Sequence, residues 1–378
     1  MKPERQRLNE FDGLRAIACC MVAFFWHYQH FGNELAYPGG KILGLLYKYG
    51  GTAVELFFII SGFAMTLNYA EKIANKETGF IPYIKKRYFK LWPLAFVTLI
   101  LTLCLELIYR AINGNLFFLT ENFDVYHFVL NAFLVQSGWF ENSYTFNTPI
   151  WFVSVLLLCY IVFYGECIFA GILSRKIKAK SPESLDFNGM RGGGYWPYLL
   201  IISIAIVIVL NVIDTVKFEG PFLHHSFGTR GILSFNMGII LSLIYSKGRK
   251  RIVIVPVVGV ALYAIGFLIA KNVGLKPSTS LLPLAMVIWP TLICIVLLIK
   301  PIGVIFSSKP MHFISSISTE IYMIHFPVQI AIGVIFSLVG AELPYDRWWF
   351  ACVYIVSVFL VAMLVSRIRA KVKLKVPK

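Results

Sequence analysis

Three ionisable residues lie in one apolar stretch near the start of the chain, GLRAIACCMVAFFWHYQHFG, residues 13–32. Arg15 is near one end, and His27 and His30 are near the other. A guanidinium binds anions, and an imidazole exchanges protons near neutral pH. Burying such groups in an apolar helix costs free energy, so they mark functional sites more often than packing sites. The packing alternative is that Arg15 reaches the polar headgroups and His27 bonds to a neighbour.

Two further apolar stretches carry ionisable residues of the same kind. Glu55 follows the start of GGTAVELFFIISGFAM, and Glu320 and His325 lie in STEIYMIHFPV. Glutamate and histidine inside a membrane helix commonly face a substrate cavity or a water-filled cavity. Their recurrence in separate stretches favours a shared polar site over isolated packing contacts.

The stretch around His325 also predicts a kinked helix. Pro327 lacks an amide hydrogen, so the carbonyl of Met323 loses its helical partner. Ser318, Tyr322 and His325 are four and three residues apart and share one helix face. A kinked packing helix explains the pattern equally well.

A basic cluster occurs in YIKKRYFKLWP, residues 83–93. Lys86, Arg87 and Lys90 are spaced to share a helix face, where Arg87 can bind a phosphate through two parallel hydrogen bonds. An ordinary basic flank of a membrane helix is the alternative. Trp92 and Pro93 mark the expected start of that helix. Trp151, in NTPIWFVSVLLLCY, is a weaker candidate because interfacial tryptophans are common.

The elements that position these residues follow from the composition. The chain has 378 residues, of which 58% are hydrophobic and 14% are charged. Soluble domains carry about 25% charged residues, and apolar runs of about 20 residues cross a bilayer. The net charge is +16, and the basic residues lie in short loops between such runs. This placement indicates membrane topology and argues against nucleic-acid binding. We therefore expect an all-α polytopic membrane bundle forming one domain over residues 1–378.

About ten membrane spans are predicted, and the basic residues orient them. With the N-terminus inside, 27 of the 35 Lys and Arg residues fall on the inner side, which places both termini in the cytoplasm. Segment 123–140 is read as a re-entrant or interfacial helix, and 174–194 as a flexible cytoplasmic linker. The spans are expected at 12–31, 51–70, 91–110, 148–172, 195–213, 228–246, 252–270, 280–299, 313–338 and 348–366.

The stretches FDGLRAIA, ELFFIISGF, RYFKLWP and IYMIHFPV, in this order, resemble hallmark stretches of the membrane-bound acyltransferase 3 family. This family includes bacterial enzymes that O-acylate surface glycans. The resemblance covers about residues 9–366. It implies a ten-helix fold, acyl-CoA as donor and a sugar hydroxyl as acceptor. It matches Arg15 and His27 to the family's arginine and histidine on the first helix, and Arg87 to the basic residue before the third.

The chain departs from the family pattern in its spacing. Eleven residues separate Arg15 from His27, where the family usually has ten, so a straight helix would turn His27 by about 100° from the shared face. A π-bulge would restore the alignment, and His30 is the other candidate. Glu55 replaces a common aspartate, and Lys90 a common arginine. WFVSVLLLCY lacks the glutamate that one branch carries and looks more like the branch with a WFL-type stretch.

These observations lead to the hypothesis of an integral-membrane O-acyltransferase in the cell membrane, in contact with membrane lipid. The expected donor is acyl-CoA, with acetyl as the expected group, and the expected acceptor is a hydroxyl of a surface or lipid-linked glycan. No bound cofactor and no metal are expected. A covalent acyl-histidine intermediate remains open, as do a transporter or flippase for a lipid-linked sugar and a catalytically silent sensor. The expected catalytic residues are His27, Arg15 and Glu55. The expected substrate-binding residues are Arg87, Lys90, Lys86, Trp151, Tyr322 and His325.

The basic-residue asymmetry predicts which loops face the cytoplasm. Single cysteines introduced within 174–194 of a Cys-less chain should resist an impermeant thiol reagent in intact cells. A cysteine at position 217, in a predicted outer loop, is the matched control and should react. Reaction within 174–194 would contradict the ten-span topology.

Overall fold

The structure, a computed structural model, describes residues 8–32, 37–118, 122–141, 144–180, 194–215, 227–272 and 284–375. Every regular element in these ranges is helical. The first half holds α1 (Glu10–Cys20), α2 (Gly40–Tyr49), α3 (Ala53–Ala74), α4 (Phe80–Asn113), α5 (Val125–Phe133) and α6 (Trp151–Lys180). The second half holds α7 (Trp196–Thr215), α8 (Phe227–Ser246), α9 (Ile254–Asn272), α10 (Trp289–Leu298), α11 (Lys300–Phe306), α12 (Lys309–Ser316), α13 (Ser318–Leu338) and α14 (Trp348–Lys375).

Eight helical segments in the described ranges are long and apolar enough to cross a membrane. Met286–Leu298 and α11, bent by 101°, would form a ninth. The predicted all-α polytopic bundle is therefore confirmed. The predicted first span, 12–31, is also helical but does not belong to this set.

The start of α4 differs from the prediction. The helix begins at Phe80, well before residue 91, and Pro93 lies inside it. Lysine, arginine and tyrosine are acceptable helix formers, so the basic stretch extends the helix beyond its apolar part. The expectation that Trp92 and Pro93 mark the helix start was wrong.

Two segments, 123–140 and 174–194, were expected not to cross the membrane. The only helix in 123–140 is α5, which has nine residues. A membrane crossing requires about 20. This agrees with the interfacial or re-entrant interpretation. The first part of the predicted linker 174–194 is the end of α6, and residues 181–193 lie outside the described residues.

The first helical segment changes its winding along its length. After α1, Met21–Trp26 is a π-helix and His27–Phe31 is a 3-10 helix. The His27 amide donates to the carbonyl of Val22, five residues back. The Tyr354 hydroxyl of α14 donates to the carbonyl of Ala23 at 2.8 Å. A π turn absorbs about one extra residue, so the segment contains the irregularity that the eleven-residue spacing called for.

Helix α13 contains Pro327 in its interior. The side-chain amide of Asn147 donates to the carbonyl of Met323 at 2.9 Å. That carbonyl is the one for which proline supplies no helical donor. A neighbouring segment therefore satisfies the backbone beside His325.

Two glycines allow α3 and α8 to approach closely. A methyl group added at Gly62 would meet the carbonyl oxygen of Phe235, and one added at Gly238 would meet that of Ile59. Small residues at membrane-helix interfaces permit such backbone contact. The pair holds α3, which carries Glu55, against α8.

One end of the bundle gathers basic side chains. Arg369 near the end of α14 donates to the backbone carbonyl of Lys90 on α4 at 2.9 Å. Arg249, after α8, pairs with Glu10 at the start of α1 at 3.0 Å. The first helix therefore begins, and the last ends, at this same end of the bundle. It is called the basic end below.

Replacing Gly238 with valine should destabilise the α3–α8 interface. The added side chain would overlap backbone, and overpacking of this kind costs about 1–3 kcal/mol. Gly165→Val in α6 is the matched control, because a Cβ there meets no atom within 4 Å. Thermal unfolding of both variants in detergent, followed by size-exclusion chromatography, measures the difference. Equal melting temperatures would contradict the close approach.

Candidate active site

A cavity of about 540 Å³ opens at the basic end between α1, α3, α4, α6, α13 and α14. Its wall carries one carboxylate, Glu320. Cations outnumber this acid, so the cavity favours an anionic ligand. Its volume falls in the range of small-molecule sites. The cationic side chains on its wall are Arg15, Lys86, Arg87, Lys90 and Arg369.

Arg87 is buried among aromatic rings. Its guanidinium carbon lies 3.6 Å from the ring centroid of Tyr83 and 4.3 Å from that of Tyr69. One nitrogen donates to the carbonyl of Tyr83 at 2.6 Å. Within the described residues no carboxylate lies within 4.0 Å of it. Cation–π contacts hold the group in place without neutralising its charge.

Lys86 and Lys90, one helical turn apart on α4, are exposed at the cavity mouth beside Arg87. This confirms the predicted shared face. Arg369, which the sequence analysis missed, pairs with Glu320 across the mouth. The pair links α14 to α13 and leaves the remaining cations of the wall in excess.

Aromatic rings form the inner end of the cavity. Tyr322 contacts Phe57 at a centroid distance of 5.9 Å and Phe152 at 5.4 Å. His325 lies one helical turn after Tyr322 on α13. The centroids of their rings are 5.9 Å apart. Tyr322 therefore lines the cavity and also contacts His325.

His325 forms a buried hydrogen-bonded pair with His27. Nε2 of His325 lies 2.7 Å from Nδ1 of His27, and the rings stack at 4.8 Å. The side chain of Gln329 donates to the carbonyl of His27 at 2.7 Å. The contact joins the first helix to α13 across 298 positions of sequence.

The hydrogen-bond pattern assigns the neutral tautomers. Nδ1 of His325 lies 3.2 Å from the carbonyl of Ile321, which can only accept, so this nitrogen carries the hydrogen. Nε2 of His325 then accepts, and Nδ1 of His27 donates to it. Nε2 of His27 is left with its lone pair. It is the nitrogen that can take up a proton.

His30 occupies a different environment. Its ring stacks beside His27 at 5.3 Å and lies 3.8 Å from the ring of Phe118. Its Nε2 is buried without a hydrogen-bond partner among the described residues. The structure thus pairs His27, rather than His30, with His325.

Glu55 lies at the start of α3 in a second polar group. We expected its carboxylate to balance His27 or Arg15, but its ion pair is with Arg230 of α8, at 2.6 Å. Arg230 also lies 5.3 Å from the centroid of the Trp151 ring. A buried carboxylate requires a nearby cation, and α8 supplies it because the glycine contacts bring α8 against α3.

This second group borders the inner end of the cavity. Trp151 directly precedes Phe152, which lines the cavity and contacts Tyr322. The Tyr322 hydroxyl has no hydrogen-bond partner among the described residues. One oxygen of Glu55 is also buried and unpartnered within those residues. Such atoms are costly in a protein interior and can bind a polar ligand.

The sequence held partial signals for the residues that were missed. Arg230 is a lone cation at the start of an apolar run, as Arg15 is, and could have been matched to Glu55 by charge. Nothing in the sequence points to Asn147 or Gln329 as partners of backbone carbonyls. In the described ranges no group of three or more His, Cys, Asp or Glu side chains is placed to hold a metal.

The helical bundle and its cationic cavity define a polytopic membrane protein. The acyltransferase 3 family model, described as an acyltransferase domain, matches residues 8–367, and the chain belongs to this family. The matched range runs from just before α1 into α14. The resemblance inferred from the sequence is thereby confirmed, and the protein is a membrane acyltransferase. No curated protein and no solved structure matches the chain.

Proposed function

We propose that this acyltransferase moves an acyl group, acetyl in the first instance, from acyl-CoA to a hydroxyl of a surface or lipid-linked glycan at the cell membrane. One observation carries the proposal. The cationic cavity ends at Tyr322, which contacts His325 of the His27–His325 pair. The side chain of Tyr322 thus connects the site for an anionic donor with the proton acceptor.

The donor enters from the basic end. Its phosphates bind Arg87, Lys90 and Lys86. Arg87 is fixed in place by its tyrosines, and the two lysines are exposed at the cavity mouth. The acyl-bearing arm passes Arg15 toward Tyr322, both of which line the cavity. The positive-inside argument places this end in the cytoplasm, where acyl-CoA is found.

The acceptor approaches from the other side of Tyr322. Trp151 offers an aromatic face, and the Glu55–Arg230 pair offers hydrogen-bonding groups to a sugar. The unpartnered oxygen of Glu55 is available to accept from a hydroxyl. Glu55 acts here as a binding group rather than as the partner of His27.

The reaction follows from the tautomers. The acceptor hydroxyl gives its proton to Nε2 of His27 while its oxygen attacks the thioester carbonyl carbon. The imidazolium that forms is stabilised because Nδ1 donates to His325. The Tyr322 hydroxyl donates to the oxyanion. The carbon–sulfur bond then breaks, and the proton passes from His27 to the leaving thiolate of CoA.

Removing Arg87 should weaken donor binding. Arg87→Ala loses a bidentate phosphate partner and should weaken acyl-CoA binding by about 1–3 kcal/mol. Lys85→Ala is the matched control, since Lys85 is a cation on the same helix that does not line the cavity. Titration of the purified variants with acyl-CoA measures the effect. The donor site is misplaced if Arg87→Ala binds as tightly as the control.

Removing His27 should abolish most of the activity. His27→Ala loses the proton acceptor and should lower the rate by about 10²–10⁴-fold, with acyl-CoA binding little changed. His30→Ala should have a much smaller effect. Acyl transfer from labelled acetyl-CoA, measured at matched protein levels with mass analysis of the acceptor, compares the two variants. It also identifies the product.

Two outcomes would overturn parts of the proposal. If His30→Ala is inactive and His27→Ala is normal, His30 is the base. If both variants keep normal activity, the first-helix mechanism is wrong, and transport of a lipid-linked sugar becomes the better account.

A further inference from the structure

A second cavity lies at the basic end, away from the acyltransferase site. It has a volume of about 480 Å³ and is bounded by α7, α8, the 3-10 turn Arg249–Val253 and the start of α9. Its basic residues are Lys247, Lys250 and Arg251, and none of the described residues that line it is acidic. The apolar part of its wall is formed by Trp196, Leu200, Leu243, Ile244, Val253 and Ile254.

No described carboxylate forms an ion pair with any of the three cations. Lys250 and Arg251 are exposed, and no described carboxylate lies within 4.0 Å of either. Nζ of Lys247 lies over the ring of Trp196, 4.1 Å from its centroid. Arg249, in the same turn, points elsewhere and bonds to the carbonyl of Leu297 and to Glu10.

The apolar wall opens toward the surrounding hydrocarbon. Val253 and Ile254 are 52% and 53% exposed, directly beside the cations. An ordinary basic flank carries charge alone, whereas here a groove for a hydrocarbon chain adjoins it. Basic pockets between membrane helices bind anionic headgroups on the cytoplasmic side, and the positive-inside argument places the basic end there.

We propose that this groove binds an anionic phospholipid. Lys250 and Arg251 bind the phosphate and the additional negative charge of the headgroup. The cation–π contact with Trp196 keeps Lys247 beside them. One acyl chain lies along Leu200, Leu243 and Ile244. A free phosphate has no hydrocarbon chain and would make no contact with the apolar wall. A choline headgroup would place its cation among three others, and no acid among the described lining residues would balance it.

Native mass spectrometry of the full chain tests the proposal. Protein in detergent is titrated with dioleoyl phosphatidylglycerol or dioleoyl phosphatidylcholine, and the lipid-bound species are quantified. The wild type should prefer phosphatidylglycerol. The double variant Lys250→Gln/Arg251→Gln should lose that preference by about tenfold or more, because each surface cation contributes separately to anionic-lipid binding.

The matched control is Lys300→Gln/Lys309→Gln, which removes the same charge from two exposed residues outside the groove. Its lipid preference should stay at the wild-type value. Equal binding of the two lipids, or an equal loss in the control, would overturn the site. Displacement of the lipid by inorganic phosphate alone would also overturn it, since the ligand would then be an anion without a chain. Acyl transfer is not measured, so the outcome is independent of the proposed function.

Discussion

The hydrogen bond between His27 and His325 is the contact around which the interior of this acyltransferase is arranged. Both imidazoles are buried, and polar groups in an apolar interior are costly unless they are bonded. Together with the contact between Nδ1 of His325 and the Ile321 carbonyl, the bond fixes the tautomer of each ring and leaves Nε2 of His27 to exchange a proton. It also ties the beginning of the bundle to its second-last helix.

The backbone near this pair departs from regular helix on both sides. The first helix passes through a π turn before His27, and α13 contains Pro327 just after His325. Irregular backbone at membrane depth survives only where other groups supply the lost hydrogen bonds. Here Tyr354 and Asn147 do so from neighbouring segments. The site is therefore maintained by parts of the chain that take no part in the chemistry.

Charge is distributed in two groups on either side of Tyr322. The basic end holds a wall of cations in which Glu320 is paired to Arg369. The second group is the buried pair of Glu55 and Arg230, in which the charges offset each other. In the proposed reaction, the first arrangement would bind the charged donor and the second the hydroxyl-bearing acceptor.

Much of this could be predicted from local sequence. Apolar run length gives the helical membrane bundle, and residue spacing gives the shared face of Lys86 and Lys90. The extra residue after Arg15, counted against the family pattern, left a π-bulge or the use of His30 as alternatives, and the structure has the π turn. Local properties were misleading where two effects competed. The basic stretch before Pro93 is a good helix former, so α4 extends beyond its apolar part, and the proline lies within the helix.

The sequence by itself therefore determined the all-helical membrane architecture and which apolar stretches carry ionisable groups, because hydropathy and helical periodicity depend on near neighbours. Only the tertiary structure decided the partners. His27 pairs with His325, Glu55 with Arg230 and Glu320 with Arg369, each across many residues of sequence. Helix packing selects these pairs. In the α3–α8 case, contacts at Gly62 and Gly238 set how closely two backbones approach, and a single sequence does not encode that distance locally.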